Sequence, residues 1–225
     1  MRAPNVWQKV TAIIGAIFSL FYLYESGFGI VTSEAHRGVF LLCTFALCLL
    51  LYPFRKKAQA AGPSPLDVFL AILSSIAVVY WMIEYPLMAA RIGLPPRPID
   101  IFFGLIVIII SLEVARRALG LVIPAISIFF LFYAYFGPYF PGALSHAGYS
   151  LERIVEYVFL SPSGIFGQIL AVYATYVMPF IIFGAFLDKS GVGDFIIDFA
   201  RALTGHKTGG PALTAVVASA GVGTI

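Results

Sequence analysis

Long apolar runs alternate with short charged or proline-rich segments along the whole sequence. A helix crosses the hydrocarbon core of a bilayer with about 20 apolar residues, and six runs reach or approach that length. These runs cover residues 10–30, 38–54, 66–86, 99–115, 118–136 and 165–187. They lack the polar–apolar alternation of membrane barrel strands, and a helix satisfies its own backbone groups in lipid. The pattern predicts an all-α integral membrane protein with about six transmembrane helices.

Two further segments have one apolar and one charged face when they are drawn as helices. Residues 151–160 and 192–203 both repeat apolar positions at the three- and four-residue spacing of an amphipathic helix. Such helices lie at the membrane interface. The pattern leaves two roles open, because either segment could be a simple connector between spans or a structural brace around a moving core.

The last segment predicts an incomplete membrane helix. Its start comprises Thr208, Gly209, Gly210 and Pro211, since proline is tolerated in the first turn. Residues 211–220 make about 15 Å of helix, which reaches only the middle of a bilayer. Glycines then interrupt the pattern. The segment is therefore either the start of a re-entrant hairpin or an ordinary span that continues beyond residue 225.

The small residues near this interruption are the candidate binding residues. A broken membrane helix exposes backbone carbonyls that can coordinate Na⁺, and hydroxyl groups add oxygen ligands. The partial ion or substrate site comprises Ser219, Gly221, Gly223 and Thr224. Small residues also allow helices to pack closely, so the pattern alone does not separate binding from packing.

The composition excludes several classes of protein. Hydrophobic residues make up 60% of the chain and charged residues 11%, against about 25% charged residues in an average soluble protein. A water-soluble enzyme and a disordered chain are both excluded. The net charge of +3 does not favour nucleic-acid binding. The two cysteines, Cys43 and Cys48, lie inside an apolar run and are interpreted as small apolar residues.

Motifs of catalysis are missing from the sequence. It contains no GxSxG, HExxH, P-loop or GxGxxG pattern. The three histidines, His36, His146 and His206, fall in different predicted loops, so a shared metal site is not expected. We therefore expect neither an enzyme nor a cofactor. Three glutamates near predicted span ends are expected to act mainly as interfacial anchors: Glu25, Glu84 and Glu113.

Positive charges predict a cytoplasmic N-terminus. The apolar run after Lys9 is longer than the hydrophobic region of a cleavable signal, so it is expected to remain as the first helix. With the N-terminus inside, the inner segments hold 10 of the 14 lysines and arginines and the outer segments hold 4. This is the asymmetry of the positive-inside rule, and the opposite topology reverses it.

Five short strings carry a family resemblance. They are YAYFGPYFPG at 133–142, SPSGIFG at 161–167, FGAFLDKSGVGDF at 183–195, ARALTGHKTGGPA at 200–212 and ASAGVGTI at 218–225. In this order and spacing they resemble the membrane component of a tripartite ATP-independent periplasmic (TRAP) transporter. The form with a small four-helix subunit fused to the large subunit, typical of the TAXI class, is the most similar.

The resemblance implies a function and an organisation. Residues 1–117 would correspond to the small subunit and 118–225 to the start of the large subunit, with arm helices at 151–160 and 192–203. A re-entrant hairpin would begin near Thr208. Such a permease lies in the bacterial inner membrane. It takes an organic acid from a periplasmic solute-binding protein and couples its uptake to Na⁺.

Two departures from the family pattern qualify this expectation. Position 221 is usually bulky and apolar, whereas this chain has Gly221, so Ser219, Gly223 and Thr224 carry the match near the ion-binding hairpin. The sequence stops at Ile225, before the usual hairpin turn and the second hairpin. We therefore expect residues 1–225 not to transport without the remainder of the permease chain. The alternative function is a non-transporting membrane scaffold.

Overall fold

The structure is a computed structural model that describes residues 6–29, 32–54, 62–89, 95–206 and 208–223. Helices dominate these residues, and no strand occurs within the described ranges. The predicted fold class, an all-α membrane protein, is confirmed. The chain forms two compact units, Met1–Thr175 and Tyr176–Ile225, and each is described by itself.

Four long helices form the centre of the first unit. Their bounds are α1 Val6–Phe28, α2 Ser33–Leu51, α3 Pro65–Ala89 and α4 Pro98–Leu119. Short connections make neighbouring helices antiparallel. The core lies between α2, α3 and α4, where several side chains are fully buried: Leu49, Val78, Trp81, Val107 and Ile110.

The charged side chains of this bundle gather at its two ends. One end holds the ends of α2 and α4 and the start of α3, and we call it the basic end after Arg116 and Arg117. The opposite end holds the starts of α2 and α4, and we call it the histidine end after His36. Ionisable side chains are costly in hydrocarbon, so their concentration at the two ends agrees with a membrane-spanning bundle.

The next helix, α5, is shorter than the sequence predicts. The apolar run at 118–136 predicts a span, but Gly120 adopts a φ of +87° and separates α4 from the 14-residue helix Val122–Tyr135. Fourteen residues make about 21 Å of helix, less than the hydrocarbon thickness. The helix nevertheless runs from the basic end to the histidine end, because Val155, which follows it, packs on Gly104 near the start of α4.

The first predicted amphipathic segment packs against the bundle. Helix α6, Leu151–Val155, continues as a π-helical turn, Glu156–Leu160. Val155 and Phe159 are buried where they meet α4 at Gly104, since a Cβ atom at that glycine would lie 2.4 Å from Cγ1 of Val155. This burial favours the brace over a connector that lies only on the membrane surface.

The loop that follows is held by α2 and α3. Phe166 stacks on Trp81 with ring centroids 3.9 Å apart, and Nη1 of Arg37 donates a hydrogen bond of 2.9 Å to the carbonyl of Phe166. The chain then continues as α7, Gln168–Val172, and a second π-helical turn, Tyr173–Val177. These contacts fix residues after the bundle onto its histidine end.

Three helices make up the second unit. They are α8 Met178–Ser190, α9 Val192–Thr204 and α10 Gly210–Gly223. Gly191, between α8 and α9, has the left-handed conformation that commonly ends a helix, with φ of +77°. The second predicted amphipathic segment is helical as α9, and it packs against α10 as a helical hairpin.

Five helices in the described part of the chain are long and apolar enough to cross a membrane. They are Val6–Phe28, Ser33–Leu51, Pro65–Leu87, Pro98–Leu119 and Gln168–Ser190. The apolar helices Val122–Tyr135 and Gly210–Gly221 are shorter than a span. Five of the six predicted spans therefore have spanning length, and the remaining one is α5.

Helix α10 extends past the predicted interruption. The sequence predicts a break at Gly221 and Gly223, but both residues are helical, so that part of the prediction is wrong. Each helical glycine costs about 1 kcal/mol relative to alanine. This cost alone does not break α10, because the helical backbone satisfies its own hydrogen bonds. Thr224 lies outside the described residues.

Candidate functional site

The predicted site lies on the helical hairpin of α9 and α10. The seam between these helices is made of small residues at four-residue intervals, Ala200 and Thr204 on α9 and Thr214 and Ala218 on α10. Three of the four are buried, and Oγ1 of Thr204 lies 2.8 Å from Oγ1 of Thr214. Small side chains let two helix backbones approach closely in a membrane protein.

Gly221 belongs to this seam. A Cβ atom at Gly221 would lie 3.2 Å from Cγ2 of Ile196 on α9, a distance that leaves no room for a larger side chain without movement. The glycine at this position thus has a packing role in the structure. Of the two explanations that the sequence leaves open for its small residues, packing accounts for Gly221.

Ser219 and Gly223 lie away from the seam. Ser219 is exposed within the described part of the second unit, and no atom lies within 4 Å of a Cβ built at Gly223. At the other end of α10, Thr208 and Gly209 form an exposed turn, Gly210 is buried and Pro211 is exposed in the first helical turn. The structure therefore divides the predicted residues between the seam, the open side of α10 and its start.

Ser219 is the predicted site residue that offers a polar side chain within the described part of α10. It is exposed on the open side of the helix, one turn before Gly223, the last described residue. A hydroxyl oxygen can accept a hydrogen bond or coordinate a cation. Ser219 therefore remains a candidate ion ligand.

A buried polar cluster at the histidine end is not predicted from the sequence. His36 is 6% exposed and lies in α2, so its placement in a loop is wrong. Its Nε2 atom lies 3.1 Å from Oγ1 of Thr175, and its Nδ1 atom lies 3.1 Å from Oε2 of Glu25. The hydroxyl of Tyr22 donates to the carbonyl of His36 at 2.7 Å. The cluster joins α1 and α2 to the turn after α7.

The sequence contains part of the information needed to predict this cluster. Glu25 sits inside an apolar run, and an ionisable residue there generally has a partner. The partner Thr175 is 139 positions from His36 in the sequence. A contact at that separation depends on how the helices pack, which no local pattern contains.

A second polar cluster occupies the basic end. Glu113 accepts hydrogen bonds of 2.7 Å from Nε of both Arg116 and Arg117, at the three- and four-residue spacings visible in the sequence. Arg117 also donates through Nη1 to Asp67 at 2.7 Å. Asp67 is completely buried and bonds the backbone N–H of Ser64 at 2.8 Å, which caps α3. These ion pairs connect α3 with α4.

The other predicted anchors and histidines have local structural partners. Glu84 lies 3.8 Å from Nη1 of Arg97 between α3 and α4. Nε2 of His146 lies 3.1 Å from the carbonyl of Tyr133, and its Nδ1 accepts from the N–H of Gly148. His146 therefore holds the loop between α5 and α6. His206 follows α9 in an exposed turn.

The comparison with protein families matches the later part of the chain. The family described as the tripartite ATP-independent periplasmic transporter, DctM component, matches residues 106–225, which is more than half of the 225 residues. The match begins within α4 and includes the brace, both π-helical turns and the α9–α10 hairpin. Residues 1–105 lie outside it, so a small-subunit region at 1–117 remains a prediction.

Two other comparisons gave no match. Neither the search of curated proteins nor the search of solved structures found a similar protein. The matched range contains all five strings that carry the resemblance in the sequence. It covers the candidate hairpin from Thr208 to Thr224 in full. The chain belongs to the family of the DctM component, the membrane component of TRAP transporters.

Proposed function

We propose that this permease takes up an organic acid, a carboxylate, together with Na⁺ and receives it from a periplasmic solute-binding protein. The protein is a multi-pass component of the bacterial inner membrane with its N-terminus in the cytoplasm. The family membership supports transport. The coupling ion, the class of solute and the partner protein are the parts that we propose.

The observation that carries Na⁺ coupling is the geometry of α10. Ser219 is exposed on the open side of α10, which is held to α9 by the Thr204–Thr214 contact. In membrane transporters, coupling ions bind near the middle of the bilayer on oxygen atoms of interrupted helices. We propose that the Ser219 hydroxyl, together with the neighbouring Gly223 and Thr224, contributes oxygen ligands to a Na⁺ site.

The histidine end supports an external partner. The positive-inside rule places the basic end in the cytoplasm, so the opposite end faces the periplasm. In the loop between α5 and α6 at this end, Tyr139 is 84% exposed. His146 holds the backbone of the same loop by accepting a hydrogen bond from the N–H of Gly148. An ordered loop with an exposed tyrosine is suited to protein recognition. We propose this surface as part of the contact with the solute-binding protein.

The region at 1–117 is proposed to be the fused small subunit. It forms one compact unit with residues up to Thr175. The Trp81–Phe166 stack and the His36–Thr175 contact cross from one predicted region to the other. These buried contacts suit a fixed support for the large-subunit region, because breaking them would expose a histidine and two aromatic rings.

Transport measurements test this proposal. The purified full-length permease is reconstituted in liposomes with its solute-binding protein, and uptake of radiolabelled carboxylates is followed. An inward Na⁺ gradient should drive accumulation, and an equal K⁺ gradient should not. Omitting the binding protein should remove uptake. Accumulation that is the same with K⁺, or that needs no binding protein, would contradict the proposal.

A further inference from the structure

A cavity at the basic end has no role in the function proposed above. It lies between the ends of α2 and α4 and the start of α5 and has a volume of about 680 Å³, within the range of small-ligand sites. Its principal lining residues are Tyr52, Phe54, Arg116, Arg117, Gly120 and Leu121. Two arginines line it, and neither carboxylate of the neighbouring ion pairs does.

The neighbouring carboxylates bond the arginines and do not line the cavity. Both oxygens of Glu113 are occupied by Arg116 and Arg117 at 2.7–2.9 Å. Asp67 is completely buried, and its oxygens accept from Arg117, the N–H of Phe54 and Ser64. The lining of the cavity is therefore cationic, although the charges of the whole cluster balance.

Donor groups remain for a ligand in the cavity. Arg116 uses Nε and Nη2 for Glu113, which leaves its Nη1 edge for another acceptor, and its side chain is 34% exposed. Nη2 of Arg117 has no hydrogen-bond partner among the described residues, but this atom is buried, so Arg117 contributes positive charge to the cavity and not an exposed donor. The first N–H groups of α5, which begins at Val122, add the positive end of a helix dipole.

We propose that this cavity binds the phosphate group of an anionic phospholipid. A phosphate accepts charge-assisted hydrogen bonds, here from the free edge of Arg116, and is attracted by the positive charge of both arginines. The surface beside the cavity is apolar, since Leu119, Leu121 and Val122 are each more than two-thirds exposed. An acyl chain can cover these side chains, whereas free phosphate cannot. The assignment does not depend on Na⁺ coupling or on the transported solute.

The location agrees with this ligand. Basic cavities at the cytoplasmic ends of membrane helices attract the anionic headgroups of that leaflet. The sequence after Phe54 continues with Arg55, Lys56 and Lys57. These three residues lie outside the described part of the chain, and the proposed site does not include them.

Native mass spectrometry of the purified full-length permease tests the site. The protein is titrated with phosphatidylglycerol and, separately, with phosphatidylcholine. Arg116→Gln should weaken phosphatidylglycerol binding about tenfold, since it removes charge-assisted hydrogen bonds. The matched control is Arg153→Gln, because Arg153 is also in an ion pair three residues from a glutamate but lies at the histidine end. It should leave binding unchanged.

A second variant separates ligand loss from loss of fold. Leu121→Glu places a carboxylate at an exposed position in the lining of the cavity without removing an ion pair, and it should weaken phosphatidylglycerol binding to a similar degree. Equal affinity for the two lipids in the wild type would overturn the proposal. So would unchanged binding in both variants. Complete competition by millimolar inorganic phosphate would overturn the lipid as the source of the phosphate group.

Discussion

Thr204 and Thr214 meet across the α9–α10 hairpin with their Oγ1 atoms 2.8 Å apart. The Thr204 hydroxyl also bonds the carbonyl of Ala200 at 2.7 Å, so it is the donor to one group and the acceptor from the other. One hydroxyl thus satisfies both its donor and its acceptor capacity in a buried seam. This contact fixes the rotation of α10 about its axis and with it the side on which Ser219 is exposed.

The coupling between these threonines can be measured by a double-mutant cycle. Thr204→Val, Thr214→Val and the double variant should give an interaction free energy of about 0.6–1.5 kcal/mol, as for hydrogen bonds between membrane helices. Reversible unfolding in mixed micelles provides the measurement. Additive effects of the two substitutions would show that the hydroxyls do not interact.

Close packing at Gly221 makes a second prediction. Gly221→Leu should lower the free energy of unfolding by about 1–3 kcal/mol, because the side chain would collide with Ile196 and separate α10 from α9. The matched control is Gly223→Leu, at a position with open space around its Cβ. Thermal unfolding in detergent should show a loss for the first variant only. Equal melting temperatures of the two variants would contradict the close packing of Gly221 against α9.

The ion pair at the basic end predicts a large effect on stability. Arg117→Met leaves the completely buried Asp67 without its charged partner, and breaking a buried pair costs about 3–5 kcal/mol. Arg153→Met, in an exposed pair, should cost at most about 1 kcal/mol. Thermal unfolding of the two purified variants makes the comparison. Similar losses would mean that the Asp67–Arg117 pair is not buried.

The sequence predicted the helices well and their contacts poorly. Spans were visible because hydrocarbon forces about 20 apolar residues into helix, whatever surrounds them. The pairing of Glu113 with Arg116 and Arg117 was visible because helix geometry is local. By contrast, Asp67–Arg117 and His36–Thr175 join different helices, and only packing brings them together. Gly221 was misread as a helix break because a packing glycine and a breaking glycine look alike in sequence.

The membrane topology gives a prediction that depends on the short helix α5. In a variant without Cys43 and Cys48, Tyr139→Cys should react with a membrane-impermeant maleimide in intact cells. His206→Cys should react only after the membrane is permeabilised. An even number of membrane crossings separates it from the cytoplasmic N-terminus, so it lies in the cytoplasm. Both positions are exposed. Labelling of His206→Cys in intact cells would mean either that the N-terminus is periplasmic or that α5 does not cross the membrane.

The Na⁺ dependence of uptake by Ser219→Ala tests the central claim most directly. The control is Ser190→Ala, an exposed serine at the end of α8 whose hydroxyl bonds a backbone carbonyl. In proteoliposomes with the binding protein, Ser219→Ala should raise the half-activating Na⁺ concentration about tenfold, the effect of losing one ligand of roughly 1.4 kcal/mol. Ser190→Ala should match the wild type. An unchanged Na⁺ dependence in Ser219→Ala, or uptake that does not depend on Na⁺, would contradict the assignment of Ser219 as a ligand of the coupling ion.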